Sequence, residues 1–170
     1  IITDMVDMSQ IKQKKLRLVF QDGSLIETLK STAQLVELQA QKKGIQLVLD
    51  LDPSLLRNNL VTDHLRLSQI VLNLLTNAIK FTREGVVKMT AAPLEKSPPS
   101  CPCYKISVED SGIGISSENL QKLFSNYTHI EFEGRQIMNP SGVGLGLKIA
   151  SNLADLLAPD SQQGISVESL

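Results

Sequence analysis

The chain has 170 residues, of which 42% are apolar and 21% charged, and a net charge of −1. That composition belongs to a globular chain, of a size that buries roughly two-thirds of the surface its unfolded form exposes. The near-zero charge excludes a nucleic-acid or membrane-surface partner held mainly by charge, and no apolar run approaches the roughly 18 residues of a membrane span.

Residues 1–16 carry apolar side chains at Ile2, Met5, Val6, Met8 and Ile11 and cations at Lys12, Lys14 and Lys15. This pattern predicts a helix with a narrow apolar seam and its cations at the end the macrodipole favours. The seam calls for a partner helix, from upstream sequence or a second chain, or else packs on its own domain. The first residue is Ile rather than Met, and no basic segment leads into an apolar signal core, so a cytoplasmic fragment of something longer is expected. Residues 16–20 predict a short strand, and Asp22-Gly23-Ser24 a turn. Ser24 and Glu27 spell a capping box before a helix with Leu25, Ile26, Leu29, Ala33, Val36 and Ala40 on one face, and Gly44 suits its C′ position. Residues 45–51 read as a strand ended by Asp52-Pro53.

Asp63 is expected to cap the central helix, and Gly85 to close it. Leu67, Ile70, Val71, Leu74, Leu75 and Ala78 form its apolar stripe, while Asn73, Asn77 and Lys80, four and three residues apart, share another face. A strand over 86–92 follows, then a proline- and serine-rich loop over 93–103. Cys101 and Cys103 lie one residue apart there, too close for an unstrained disulfide, so reduced thiols are expected. Residues 104–109 alternate as a half-buried strand and deliver Asp110 to its end, followed by Ser111-Gly112-Ile113-Gly114-Ile115. Ser116 starts a short helix through Leu123 and Phe124. Residues 125–141 are polar and without period, the mark of a lid or binding segment. Gly142-Val143-Gly144-Leu145-Gly146-Leu147 opens a helix to about Leu157, and residues 165–167 read as a last strand. His64 and His129 read as solvated surface histidines.

Three features carry chemistry: the Asn/Asn/Lys face, the acid beside two glycines, and the glycine-rich opening of a helix. Glycines that open a helix leave free N–H groups at its positive end, an anion site. Asn oxygens beside phosphates suit Mg²⁺, which takes few protein ligands, and Lys80 is a point charge for phosphate. An acid at a strand end can accept from the amino group of a base. Together these ask for a Mg-nucleotide.

The same residues resemble the catalytic ATP-binding domain of sensor histidine kinases, in the GHKL ATPase superfamily of gyrase, Hsp90, MutL and histidine kinase. DHLRLSQIVLNLLTNAIKFT resembles the N box of that family, VEDSGIGI its G1 box, LFSNY its F box and GVGLGL its G2 box. IITDMVDMSQIKQKKL resembles the second helix of the dimerisation and histidine-phosphotransfer hairpin.

The resemblance implies an α/β sandwich, a mixed sheet with helices on one face of the Bergerat type, over residues 17–170, preceded by one hairpin helix over 1–16. It implies ATP and Mg²⁺ as ligands. Asp110 would take the adenine amino group, and Gly112, Ile113, Gly114 and Ile115 would shape its pocket. Asn77 would hold Mg²⁺, supported by Asn73, and Lys80 would meet a phosphate. Phe81 and Tyr127 would pack near the nucleotide. Gly142, Val143, Gly144, Leu145, Gly146 and Leu147 would cradle the phosphates, and residues 125–141 would form the ATP lid, from which Arg135 reaches toward the γ-phosphate. The implied partners are a second copy, through the hairpin, and a receiver domain of a response regulator. Neither histidine stands in the context of the phosphoacceptor, which would lie upstream, and the last glycine box and strand of the family would lie downstream.

Hydrolysing relatives carry a Glu at the first N-box position. Here it is Asn73, and a carboxamide is no general base, so slow hydrolysis is expected. Two other readings remain: a degenerate kinase serving as a dimerising scaffold, and an ATPase of the gyrase or Hsp90 kind.

Overall fold

Two amphipathic helices and one mixed sheet bury their apolar faces against each other, and this sets the layering. The computed structural model describes residues 2–13, 15–56, 59–95, 97, 102–123, 131–132, 135–136, 146–158 and 164–169. The chain divides into two compact units, Val19–Ile113 and a second made of Ile1–Leu18 with Gly114–Leu170.

In Val19–Ile113 the elements run β1 (Gln21–Ser24), α2 (Leu25–Lys42), β2 (Ile45–Leu51), a 3₁₀ turn (Pro53–Leu56), β3 (Asn59–Thr62), α3 (His64–Phe81), β4 (Gly85–Pro93) and β5 (Tyr104–Asp110), after α1 (Ile2–Lys12) of the other unit. The main sheet has the order β2-β4-β5. β2 runs parallel to β4, with Ile45 opposite Gly85, and β5 is antiparallel to β4, with Asp110 opposite Val87. The parallel pair needs a crossover, and α3 supplies it. β1 and β3 form a separate antiparallel ribbon. Leu25, Leu29 and Val36 of α2, Val71, Leu75 and Ile79 of α3, and Val87, Met89 and Ala91 of β4 close into one buried cluster. The expected two-layer α/β arrangement, a mixed sheet with helices on one face, is what forms.

Local chemistry sets the ends of the helices. The Ser24 hydroxyl accepts from the Glu27 N–H at 3.3 Å, and Lys43 is the C-cap of α2, with Gly44 following at φ 71°. Asp63 caps α3 and is buried, 4% exposed. Its Oδ1 accepts from the Arg66 N–H at 3.0 Å, and its Oδ2 from the Val19 N–H at 2.9 Å. One carboxylate therefore satisfies an orphan donor of the helix and fastens the incoming chain 44 residues earlier.

In the second unit α1 packs on α5 (Gly146–Leu157). Met8 is buried, and the Asn152 Nδ2 lies 4.0 Å from its Sδ. Of the alternatives for its seam, α1 here meets a helix of its own chain. α4 (Ser117–Lys122) is capped by Ser116, whose hydroxyl accepts from the Asn119 N–H. Within the 125–141 stretch, β6 (Glu131–Phe132) pairs antiparallel with β7 (Arg135–Gln136). Among the described residues no helix is long and apolar enough to cross a membrane.

The helix expected over residues 1–16 ends at Lys12, and five further expectations need correction. Residues 16–20 form no strand: Val19 and Phe20 are 60% and 59% exposed, and the ladder begins only at Gln21, where Asp22-Gly23 had read as a turn. The partner that makes β1 a strand is β3, an element the local pattern did not mark. Gly85 does not close α3. The helix ends at Phe81 with Thr82 as an extended C-cap, and Gly85, at φ 117°, opens β4. A side chain on Gly85 would run into the Ser111 hydroxyl, which accepts from the Val86 N–H at 2.9 Å. Residues 165–167 form no strand. His64 is not a solvated surface group: it is half-buried, its Nδ1 2.7 Å from the Thr28 hydroxyl and its Nε2 3.1 Å from the Leu60 carbonyl. Cys101, Phe124 and His129 lie outside the described residues.

Removing the double role of Asp63 tests this account of α3. Asp63→Ala is expected to cost about 2 kcal/mol in urea unfolding and Asp63→Asn clearly less, since the amide oxygen still caps. Equal losses in the two variants would contradict the capping role.

Candidate functional site

α3 has two faces of different chemistry. Ile70, Val71, Leu75, Ala78 and Ile79 are buried, while Asn73, Asn77 and Lys80 stand half-buried on another side. The Asn77 Nδ2 donates to the Asn73 Oδ1 at 3.1 Å, the i to i+4 pairing their spacing allows. This turns one amide into a support for the other. The Asn77 Oδ1 has no donor among the described residues and remains an oxygen acceptor for a cation.

The Lys80 Nζ lies 4.9 Å from the centroid of the Phe81 ring. Partial burial lowers the Lys80 pKa below the usual lysine value. A cation short of water gains more from a neighbouring anion than a solvated one does.

β5 ends by placing Asp110 at the surface. Its Oδ1 accepts from the Gly112 N–H at 2.9 Å, an Asx-type turn that fixes the carboxylate. The Ser111 N–H donates to the Val86 carbonyl at 3.0 Å and stitches the turn to β4. A Cβ on Gly112 would sit 2.6 Å from the Asp110 Oδ1 and 2.7 Å from the Phe81 carbonyl oxygen. The turn therefore abuts the last residue of α3, an approach only glycine permits. Ile113 follows with its apolar side chain 46% exposed.

These contacts bring Asp110, Gly112 and Phe81 to one end of α3, with Lys80 in its last turn and Asn73 and Asn77 further along it. A residue the sequence reading did not single out lies at the same end. The Lys43 Nζ donates to the carbonyls of Ile79 at 2.6 Å, Lys80 at 3.1 Å and Thr82 at 2.7 Å. Its only local signal is a lysine just before the glycine that ends α2.

The remaining candidates belong to the other unit. Gly114 and Ile115 are half-buried, and the Ile115 N–H donates to the Ser169 hydroxyl at 2.8 Å. Gly146 and Leu147 form the first turn of α5, which carries no acidic side chain there to compete for an anion. Tyr127, Gly142, Val143, Gly144 and Leu145 lie outside the described residues, as does the side chain of Arg135.

Comparison with known proteins identifies the family. Residues 62–168 match the family of histidine kinase-, DNA gyrase B-, and HSP90-like ATPases. The chain is 33% identical to the hybrid signal transduction histidine kinase B of Dictyostelium discoideum over 94% of its own length, and 33% identical to the aerobic respiration control sensor protein ArcB of Escherichia coli over 96%. It spans only 8% and 21% of those two relatives. Full-length ShkA in complex with AMPPNP superposes with a TM-score of 0.71 at 26% identity, over 90% of this chain and 29% of that one. Histidine kinase ThkA in complex with the response regulator protein TrrA gives 0.57 at 25% identity, over 73% and 36%. The chain therefore belongs to the histidine kinase-, gyrase- and HSP90-like ATPase family, as a catalytic ATP-binding domain of the sensor histidine kinase type.

The close approach at Gly112 has a measurable consequence. Gly112→Ala is expected to lower stability by about 1–3 kcal/mol, because the added methyl meets backbone and a tethered carboxylate, neither of which can swing away. A melting curve matching wild type would contradict the approach of the turn to Phe81.

Proposed function

We propose that this chain is the catalytic part of a protein-histidine kinase, which binds Mg-ATP and transfers its γ-phosphoryl group to a histidine outside residues 1–170. The observation that carries this reading is the Asp110–Gly112–Phe81 contact. It joins an acceptor suited to the amino group of adenine to the end of the helix that bears Asn73, Asn77 and Lys80.

Each residue then has a task. Asp110, its Oδ1 held by the Gly112 N–H, offers its other oxygen to the exocyclic amine. Ile113, exposed beside it, and Phe81 supply apolar surface for the base. Asn77 would hold Mg²⁺ through its Oδ1, and Asn73 orients that amide by accepting from its Nδ2. Bound Mg²⁺ would neutralise charge on the phosphate oxygens. Lys80 holds a phosphate electrostatically. By the resemblance, Gly112, Gly114, Ile115 and Tyr127 would serve the adenine side. By the resemblance, Gly142, Val143, Gly144, Leu145, Gly146 and Leu147 would serve the phosphates; the first N–H groups of α5 lack internal acceptors.

Neither Asn73 nor Asn77 can take a proton from water, so the site holds ATP for another nucleophile rather than hydrolysing it. Transfer rests on positioning and electrostatics. Residues 1–16, helical over Ile2–Lys12, would supply the second helix of a hairpin through which two copies pair, and residues 17–170 the catalytic domain. A response-regulator receiver takes the phosphoryl next. The complex of ThkA with TrrA supports a receiver as partner, and the AMPPNP complex of ShkA supports a nucleotide in this fold.

Lys80 separates binding from folding. Burial lowers its pKa, so folding disfavours its charged form. That cost is present in full below the folded-state value and is relieved only as pH rises through it. Lys80→Gln is therefore expected to melt no lower than wild type while binding Mg-ATP about tenfold more weakly by calorimetry. In the same samples, phosphate release should stay well below the ~1 s⁻¹ at which ordinary enzymes begin. Brisk turnover would favour a dedicated ATPase, and binding unaffected by Lys80→Gln would remove the phosphate role.

A further inference from the structure

The end of α3 is held by a cation that no role above uses. Lys43 is the C-cap of α2, and its stem crosses to the last turn of α3. There its ammonium donates to three carbonyls at once: Ile79 at 2.6 Å, Lys80 at 3.1 Å and Thr82 at 2.7 Å. The last carbonyls of a helix have no partners within it, and a cation among them is favoured by the macrodipole as well. One lysine thus satisfies two of the last carbonyls of α3 and that of its C-cap Thr82 with the whole donor capacity of its ammonium group.

What these carbonyls belong to gives the contact its meaning. Two flank the Lys80–Phe81 segment and one is that of Lys80 itself. The carbonyl of Phe81 is the group against which Gly112 leans, 2.7 Å from where a Cβ would stand, and Gly112 in turn tethers Asp110. Thr82, whose carbonyl is the third acceptor, is fully buried. The same short stretch starts the strand pair, since Ile45, two residues after Lys43, lies opposite Gly85. Movement of the α3 terminus would carry Lys80, Phe81 and the support of the Asp110 turn together.

We propose that Lys43 is a positioning residue for nucleotide binding, whose three hydrogen bonds hold the Lys80–Phe81 end of α3 at the spacing from Asp110 and Gly112 that one nucleotide requires. This rests on the ATP-site reading. It adds a residue that touches no ligand and acts through the backbone of those that do.

The test compares wild type, Lys43→Met, Lys43→Arg and the neighbouring control Lys42→Met, all in the full chain. Mg-ATP affinity is read by calorimetry at a temperature where each variant is folded, and amide ¹⁵N–¹H spectra are recorded without nucleotide. Lys43→Met is expected to bind about tenfold more weakly. Its ligand-free spectrum should shift at Lys80, Phe81 and Gly112. Lys43→Arg, which keeps a multidentate cation, should recover most of the affinity, and Lys42→Met should match wild type. Affinity for Lys43→Met within twofold of wild type, whatever its melting temperature, would overturn the positioning role and leave the site intact. Absence of binding by folded wild type would overturn the nucleotide reading and this role with it. Should Lys43→Met not fold, Lys43→Gln, with an amide donor on a shorter stem, replaces it under the same criteria.

Discussion

The Val19–Ile113 unit depends on one packing constraint: α3 must lie on β4 with its apolar side down. Leu75, Ile79, Val87 and Met89 are each essentially inaccessible to water, and they meet where helix and strand cross. Burying a side chain of this size contributes about 1.5–3 kcal/mol, and truncating one in such a core costs more because of the cavity left behind. Rotation of α3 by one residue toward Asn77 would drive that side chain into the core with its Oδ1 unpaired. The buried stripe therefore fixes which way Asn73, Asn77 and Lys80 point.

Position along the axis is governed at the two ends. Asp63 holds the first turn and ties it to the incoming chain, and Lys43 holds the last. Both anchors come from charged groups paired with backbone, contacts that do not depend on the neighbouring side chains. The turn after β5 then takes its place by steric contact, glycine against the Phe81 carbonyl. Core packing sets the rotation, the charged caps set the translation, and the glycine contact sets the distance between the adenine side and the helix. ATP chemistry of this kind, carried by position more than by reactive side chains, needs all three.

How much of this the sequence could disclose follows from how local each cause is. The capping roles of Ser24, Asp63 and Ser116 were readable, because a cap is written within four residues. So was the split face of α3, which periodicity displays directly. The family boxes carried the site by resemblance. The β1–β3 ribbon was not readable: Gln21–Ser24 and Asn59–Thr62 are four residues each and far apart, and each is a strand only because the other pairs with it. Apolar residues 16–20 misled for the converse reason, having strand composition but no ladder. Gly85 was misassigned because its positive φ serves the Ser111 contact at the head of β4, a tertiary demand rather than a helix stop. His64 was misread because its Thr28 partner lies 36 residues away, and Lys43 was missed because its acceptors lie 36 or more residues away.

The central claim is that the end of α3 and the Asp110 turn form one adenine-nucleotide site. Calorimetric titration of Mg-ATP into wild type and Asp110→Asn tests it most directly. The variant exchanges a charged acceptor for an amide with little change of shape. The account expects wild type to bind and Asp110→Asn to lose on the order of 2 kcal/mol, roughly thirtyfold in affinity, with its fold intact. Equal affinity in the two proteins would contradict the adenine contact on which the account rests.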